Sequence, residues 1–124
     1  MLINLSNHPQ AKWGESQQLA ANLQFGIIAD LVFPSIDPHS NSAEIEQIAL
    51  EYFNKITNML DLCGNEPKAN AVHIQGEFTF VFNLVNLLKS SGIMCVASTS
   101  KRKVQELDGR KVVEFNFVQF REYK

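Results

Sequence analysis

The chain has 124 residues, 45% of them hydrophobic and 19% charged, with a formal net charge of −2 at pH 7. That length suits one domain with a single sizeable core. A pI near 5.9 excludes general electrostatic attraction for duplex nucleic acid or anionic lipid, so an anionic ligand must be caught locally by backbone amides and a few cations.

In chain order, Met1 to Leu5 is a short apolar run, stopped by the turn-forming cluster Ser6-Asn7-His8-Pro9. A helix is predicted from Glu15 to Gln24, with Leu19, Ala20 and Leu23 as its inner stripe and Gly26 as its stop. Ile27 to Phe33 reads as a second strand, followed by the loop FPSIDPHS. Ile45, Ile48, Ala49, Tyr52, Ile56, Met59, Leu60 and Cys63 then keep helical spacing, opened by Asn41 with Glu44 three residues on and closed by Gly64. A third strand covers Ala71 to Gln75, a third helix Phe78 to Ser90, and a fourth strand Ile93 to Ala97. Finally, Lys103 to Leu107 and Lys111 to Phe117 flank the hairpin dipeptide Asp108-Gly109. Val118 and Phe120 fall on the opposite parity from Phe115 and Phe117, which predicts a bulge or a strand end.

Alternating strands and helices followed by a hairpin predict an α/β domain: a Rossmann-like three-layer sandwich, mainly parallel, with a C-terminal β-hairpin. Cys63 and Cys95 match no metal-ligand spacing and suit a reducing, cytoplasmic setting. The N-terminal run reads as a strand rather than a leader, and no apolar stretch has membrane length. Neither G-x-G-x-x-G nor G-x-x-x-x-G-K-[ST] occurs, which argues against a classical dinucleotide enzyme or P-loop protein. No cofactor is expected.

Ligands of open parallel sheets bind at the carboxyl ends of the strands, where strand order reverses. That rule selects the loops at Ser6 to Pro9, Pro34 to His39, Gln75 to Thr79, and Ser98 to Lys103. If the first and third strands are neighbours, His8 and Glu77 face one cleft. Glu77 in a first helical turn is a cap as readily as a catalyst. Gly76 supplies either an unusual backbone angle or a close approach for a ligand. Asn7 and His8 are turn formers that also offer an amide and an imidazole able to move a proton near neutrality. His73 reads as a hydrogen-bonded core histidine, His39 as a solvated loop residue, and Trp13 as a core plug that could also stack a base. The stretch STSKRK combines hydroxyls with three cations, suitable for holding phosphate or for guarding an edge strand. The third helix is apolar nearly all round, with only a narrow polar stripe at Thr79, Asn83, Asn86 and Ser90. A symmetric homodimer is one way to cover it.

Taken together, LSNHP followed by KW, the D-x-x-FP-x-IDP turn from Asp30 to Pro38, VHIQGEFTFVFNLVNLL, and GIMCVASTSKR before a hairpin resemble small stand-alone CRISPR-associated Rossmann-fold (CARF-like) proteins. These are similar to cyclic-oligoadenylate sensors and ring nucleases. The resemblance spans the whole chain in architecture and loop style rather than in one diagnostic catalytic motif. It implies a homodimer holding a cyclic oligonucleotide across its axis. Some such proteins cut the ring without metal, through the substrate's own 2′-hydroxyl, and others only bind it. Carried onto this chain, Ser6, Asn7 and His8 would touch base and ribose, and Gly76, Glu77 and Thr79 would line the floor. Thr99, Ser100, Lys101 and Arg102 would hold phosphates, with His8 moving the proton, Lys101 or Arg102 steadying the strained phosphate, and Glu77 orienting His8 or a ribose hydroxyl. The mildly acidic chain weighs against a polyanionic ligand, so a preorganised site is required. Two other readings stay open: a Rossmann-like nucleotide or nucleoside hydrolase or transferase using Glu77, and a dimeric interaction module without a ligand.

Overall fold

The structure, a computed structural model, describes residues 1–62 and 68–124. Five strands, β1 (Leu2–Ser6), β2 (Ile28–Asp30), β3 (Ala71–Gln75), β4 (Met94–Leu107) and β5 (Arg110–Glu122), form one sheet in the order β2-β1-β3-β4-β5. All neighbours run parallel except β4 and β5, which pair antiparallel. Strand order therefore reverses between β1 and β3, and in register Ser6 stands beside Gln75 at their carboxyl ends. Three helices, α1 (Glu15–Phe25), α2 (Ser42–Leu62) and α3 (Phe78–Ser90), connect the parallel strands.

Side chains alternate across a strand, so β1 and β3 serve two cores. Ile3, Leu5, Val72 and Ile74 pack with Ile45, Ala49 and Ile56 of α2 and with Phe80, Leu84 and Leu88 of α3. On the opposite face Leu2, Ala71 and Val96 pack with Trp13 and with Ala21 and Phe25 of α1. Burial of aliphatic and aromatic side chains on both faces, at about 25 cal/mol per Å² of apolar surface, is the main favourable term.

The sequence predicts α1 with Leu19 and Leu23 inside, yet these are 55% and 73% exposed. Ala21 and Phe25 are buried instead. Phe25 meets Phe120 of β5 edge to face at 5.9 Å, and that contact sets the phase of the helix. The predicted second strand, Ile27 to Phe33, shrinks to Ile28–Asp30. Its partner β1 supports pairing only as far as Asn4 and Asp30, after which the chain leaves the sheet. Asn41 opens α2 as expected, its Oδ1 accepting the Glu44 N–H at 2.9 Å. The predicted closure at Cys63 and Gly64 lies outside the described residues.

The largest departure is STSKRK. It is no loop: Met94–Leu107 is one continuous strand, paired with β5 from Val96 opposite Glu122 to Leu107 opposite Arg110. The expected bulge is present, because Ser100 pairs with Phe117 while Thr99 pairs with Gln119, leaving Val118 unmatched. Asp108 and Gly109 turn the hairpin with φ of 53° and 75°, the left-handed pair that matches strand twist.

α3 begins at Glu77, whose carboxylate accepts the Phe80 N–H at 2.8 Å and the Thr79 hydroxyl at 2.8 Å. The Phe80 N–H first, then the Thr79 hydroxyl, hold this carboxyl below its ordinary value. A lowered folded value contributes stability above the ordinary glutamate range that is lost as pH falls through the folded value. Glu77→Ala should therefore cost about 0.5–2 kcal/mol at neutral pH, and the difference from the parent should shrink on acidification. Urea unfolding of both proteins across pH checks this; a pH-independent difference would remove the carboxylate from the cap.

Candidate functional site

At the carboxyl ends of the strands, the α1 face of the sheet turns from apolar to polar. Asp30, Asn4 and His73 form one row across β2, β1 and β3. Ser6 and Gln75 begin the next, and Ser98 of β4 completes it through hydrogen bonds to Gln75. Burying such groups is costly unless each finds a partner. Among the described residues no buried side-chain nitrogen or oxygen lacks one.

Asn4, 1% exposed, organises the first row. Its Nδ2 donates to the Asp30 carboxylate at 2.8 Å and to the His8 carbonyl at 2.9 Å. Its Oδ1 accepts the Ser6 hydroxyl at 2.9 Å and faces His73 Nδ1 at 2.9 Å. The His8 carbonyl is also approached by Trp13 Nε1 at 3.0 Å and Ser6 Oγ at 3.1 Å. That convergence fixes the backbone after β1 and leaves the exposed His8 imidazole free to turn. Asp30 also takes the Gln10 N–H at 3.1 Å, tying the following 3-10 turn, Gln10–Lys12, to β2.

Gln75 organises the second row. Its Oε1 accepts the Ser98 N–H at 3.2 Å, and its Nε2 donates to the Ser98 carbonyl at 3.2 Å. The Ser98 hydroxyl also donates to Gln75 Oε1. His73 Nε2 lies 2.8 Å from that oxygen and 3.2 Å from Ser98 Oγ. Trp13 and Phe120 meet the imidazole edge to face at 5.4 and 5.7 Å. Burial pushes His73 down to about 4, against an upward pull from Gln75.

Above this floor lies an open cavity of about 550 Å³. The residues singled out from sequence that line it are Ser6, Asn7, His8, Gly76, Thr99 and Ser100. Lys12, Gln75, His73, Ser98, Phe115 and Phe117 are among the other lining residues and were not selected as site residues. Trp13 is 8% exposed and lines the cavity as well, so it is both plug and wall. His73 is the hydrogen-bonded core histidine expected, but one that borders the cavity.

Four candidates lie elsewhere. Glu77 is engaged as the helix cap and does not line the cavity. Thr79 borders a separate groove with Phe78, Phe82 and Ile45. Lys101 and Arg102 lie on the β4–β5 ribbon, and their neighbours in register place them on opposite faces. Lys101 pairs with Asn116, whereas Arg102 pairs with Phe115, a wall residue. Lys12, brought in by the 3-10 turn, is the cation at the cavity wall. No group of three or more His, Cys, Asp or Glu side chains among the described residues could hold a metal ion. No helix among them is long and apolar enough to cross a membrane.

Gly76 has a steric reason rather than a conformational one. It is absent from the glycines with positive φ, but an added Cβ would collide with the Phe33 ring. Phe33 in turn meets Phe80 edge to face at 5.2 Å, so the ring cannot step aside freely. Gly76→Ala should cost about 1–3 kcal/mol as an overpacked contact. Phe33→Ala in the same chain should cancel much of that increment. Additive costs in a double-mutant cycle by chemical denaturation would contradict the contact.

No curated protein and no solved structure matches the chain. A family model does match, over residues 1–121, and by that match the chain belongs to the Uncharacterized protein MJ1673 family.

Proposed function

We propose that this chain is a Rossmann-like, CRISPR-associated domain that binds a cyclic oligoadenylate at the strand ends, one part of the ring in each cavity of a homodimer. The observation that carries the reading is the composition of the cavity wall. Aromatic rings of Trp13, Phe115 and Phe117 stand beside the Ser98, Thr99 and Ser100 stretch, the Asn7–His8 loop and Lys12. Aromatic faces suit adenine stacking, amides and hydroxyls suit base edges and ribose, and one lysine with backbone N–H groups suits a phosphodiester. A volume of about 550 Å³ lies within the usual range of small-ligand sites.

Ring opening needs no metal in this reading. The ribose 2′-hydroxyl attacks the adjacent phosphorus, the bond to the 5′-oxygen breaks, and a 2′,3′-cyclic phosphate and a 5′-hydroxyl result. His8 takes the proton from the 2′-hydroxyl or delivers one to the leaving oxygen. Lys12, rather than Lys101, offsets the charge on the phosphate. The hydrolase reading based on Glu77 loses support, since that carboxylate serves the α3 cap.

Homodimerisation is supported by α3 itself. Phe80, Val81, Leu84, Val85 and Leu88 are buried, while Phe78 and Phe82, one helical turn apart, are 89% and 68% exposed. An apolar pair so exposed is well suited to a second copy.

Cyclic tri-, tetra- and hexa-adenylate, each mixed with the protein in EDTA, test the proposal. One ring should raise the melting temperature of a dimer by sedimentation. If it is cut, the product should carry a cyclic phosphate, and His8→Ala should slow the cut by about 10²–10⁴-fold. A shift without product assigns a sensor, and no shift with any of the rings overturns the proposal.

A further inference from the structure

The proton count around His73 has a consequence for binding. Asn4 cannot exchange its amide ends, because Nδ2 already serves Asp30 and the His8 carbonyl. Gln75 cannot exchange its ends either, because Oε1 accepts the Ser98 N–H and Nε2 donates to the Ser98 carbonyl. Both ring nitrogens of His73 thus face an amide oxygen, at 2.9 and 2.8 Å. A neutral imidazole has one N–H and satisfies only one of them. With the proton on Nδ1, toward Asn4, the lone pair on Nε2 needs a donor, and the Ser98 hydroxyl, which donates to Gln75 Oε1 and lies 3.2 Å from Nε2, is the group that can turn to supply it. An imidazolium satisfies both amide oxygens and releases that hydroxyl.

We propose that anion binding in this cavity is coupled to uptake of one proton by His73, whose Nε2–H takes over Gln75 Oε1 and lets the Ser98 hydroxyl turn from Gln75 and the ring toward the ligand. Ser98 lines the cavity, so its freed O–H becomes a donor to a phosphodiester oxygen. The proton comes from solvent and rests on Nε2, bonded to Gln75 Oε1. The charged neighbours are few. Asp30 acts through Asn4 and favours the cation, and Lys12 on the wall opposes it. His8 borders the same cavity. Glu122 shares the β4–β5 face with Val96 and is held by Lys124 at 3.3 Å. Trp13 and Phe120, which cover the ring, are uncharged. Burial keeps the ring neutral above about pH 4. An anion over the floor reverses the balance, because an opposite charge favours the protonated form.

The inference rests on the proposed function only in taking the ligand to be anionic, and the probes separate the two. Cyclic tetra-adenylate and sulfate are used, neither of which titrates at a phosphate or sulfate oxygen in the working range. Calorimetric titration in buffers of different ionisation enthalpy reads the protons taken up, and ¹⁵N spectra of the histidine rings read the charge of His73. Between the free value of about 4 and the higher bound-state value, affinity should rise about tenfold per pH unit as pH falls, and level off below. Proton uptake should approach about one per site where the ring is charged only in the complex. His73→Gln should abolish uptake and flatten the pH dependence, while His39→Gln, exposed and outside the cavity, should retain both. Sulfate binding with uptake but no binding of the ring would keep the inference and remove the oligoadenylate. Ring binding without uptake, with His73 still neutral, would overturn the inference and keep the ligand. Absence of binding by either probe would overturn both.

Discussion

Two side-chain amides, Asn4 buried and Gln75 half-buried, hold the cavity end of the sheet together. Asn4, from β1, ties β2 through Asp30, β3 through His73, and the loop after β1 through the His8 carbonyl. Gln75, one strand over, ties β3 to β4 through both the N–H and the carbonyl of Ser98. A buried amide left without these partners would cost about 1–3 kcal/mol for each group stranded. The loops that form the cavity wall are thus anchored from beneath by hydrogen bonds that the hydrophobic core alone could not supply. Apolar packing on either face makes the sheet stable; the amides decide what its upper edge presents.

The β4–β5 ribbon depends on the same region from the other side. A two-stranded ribbon is marginal in water on its own. Here the end nearest the sheet is fixed by Phe120, which contacts Trp13, Phe25, His73 and Phe117. Phe117 and Phe115 are carried outward from that anchor and become cavity wall. The bulge between Thr99 and Ser100 lies beside this junction and bends the ribbon there. One aromatic cluster therefore closes the α1 core and positions the rings that line the cavity.

Much of the architecture was legible in the residues. Ala71–Gln75 and Phe78–Ser90 were readable because the apolar pattern is strong and Glu77 marks the helix start. The opposite parity of Val118 and Phe120 revealed the bulge. The inner face of α1 was not readable, because two apolar stripes compete and a distant ring, Phe120, chooses between them. STSKRK looked like a loop because polar and basic residues mimic one, whereas in a projecting ribbon both faces meet solvent and tolerate them. Half of the cavity could be placed from the strand-end rule. The rest came from register: Asn4 beside His73 and Ser6 beside Gln75 put polar residues on alternate positions of two buried strands. That alternation was present in the sequence and is a signal worth reading in its own right.

The central claim is that the Asn4 amide, more than the core, fixes the cavity rim. Hydrogen exchange on Asn4→Leu, compared with the parent, tests it most directly. Core amides of β3 and α3 should stay protected while those of His8, Gln10 and Leu31 exchange faster, with weaker binding of the proposed cyclic oligoadenylate. Unchanged protection at these three positions, with binding intact, would contradict it.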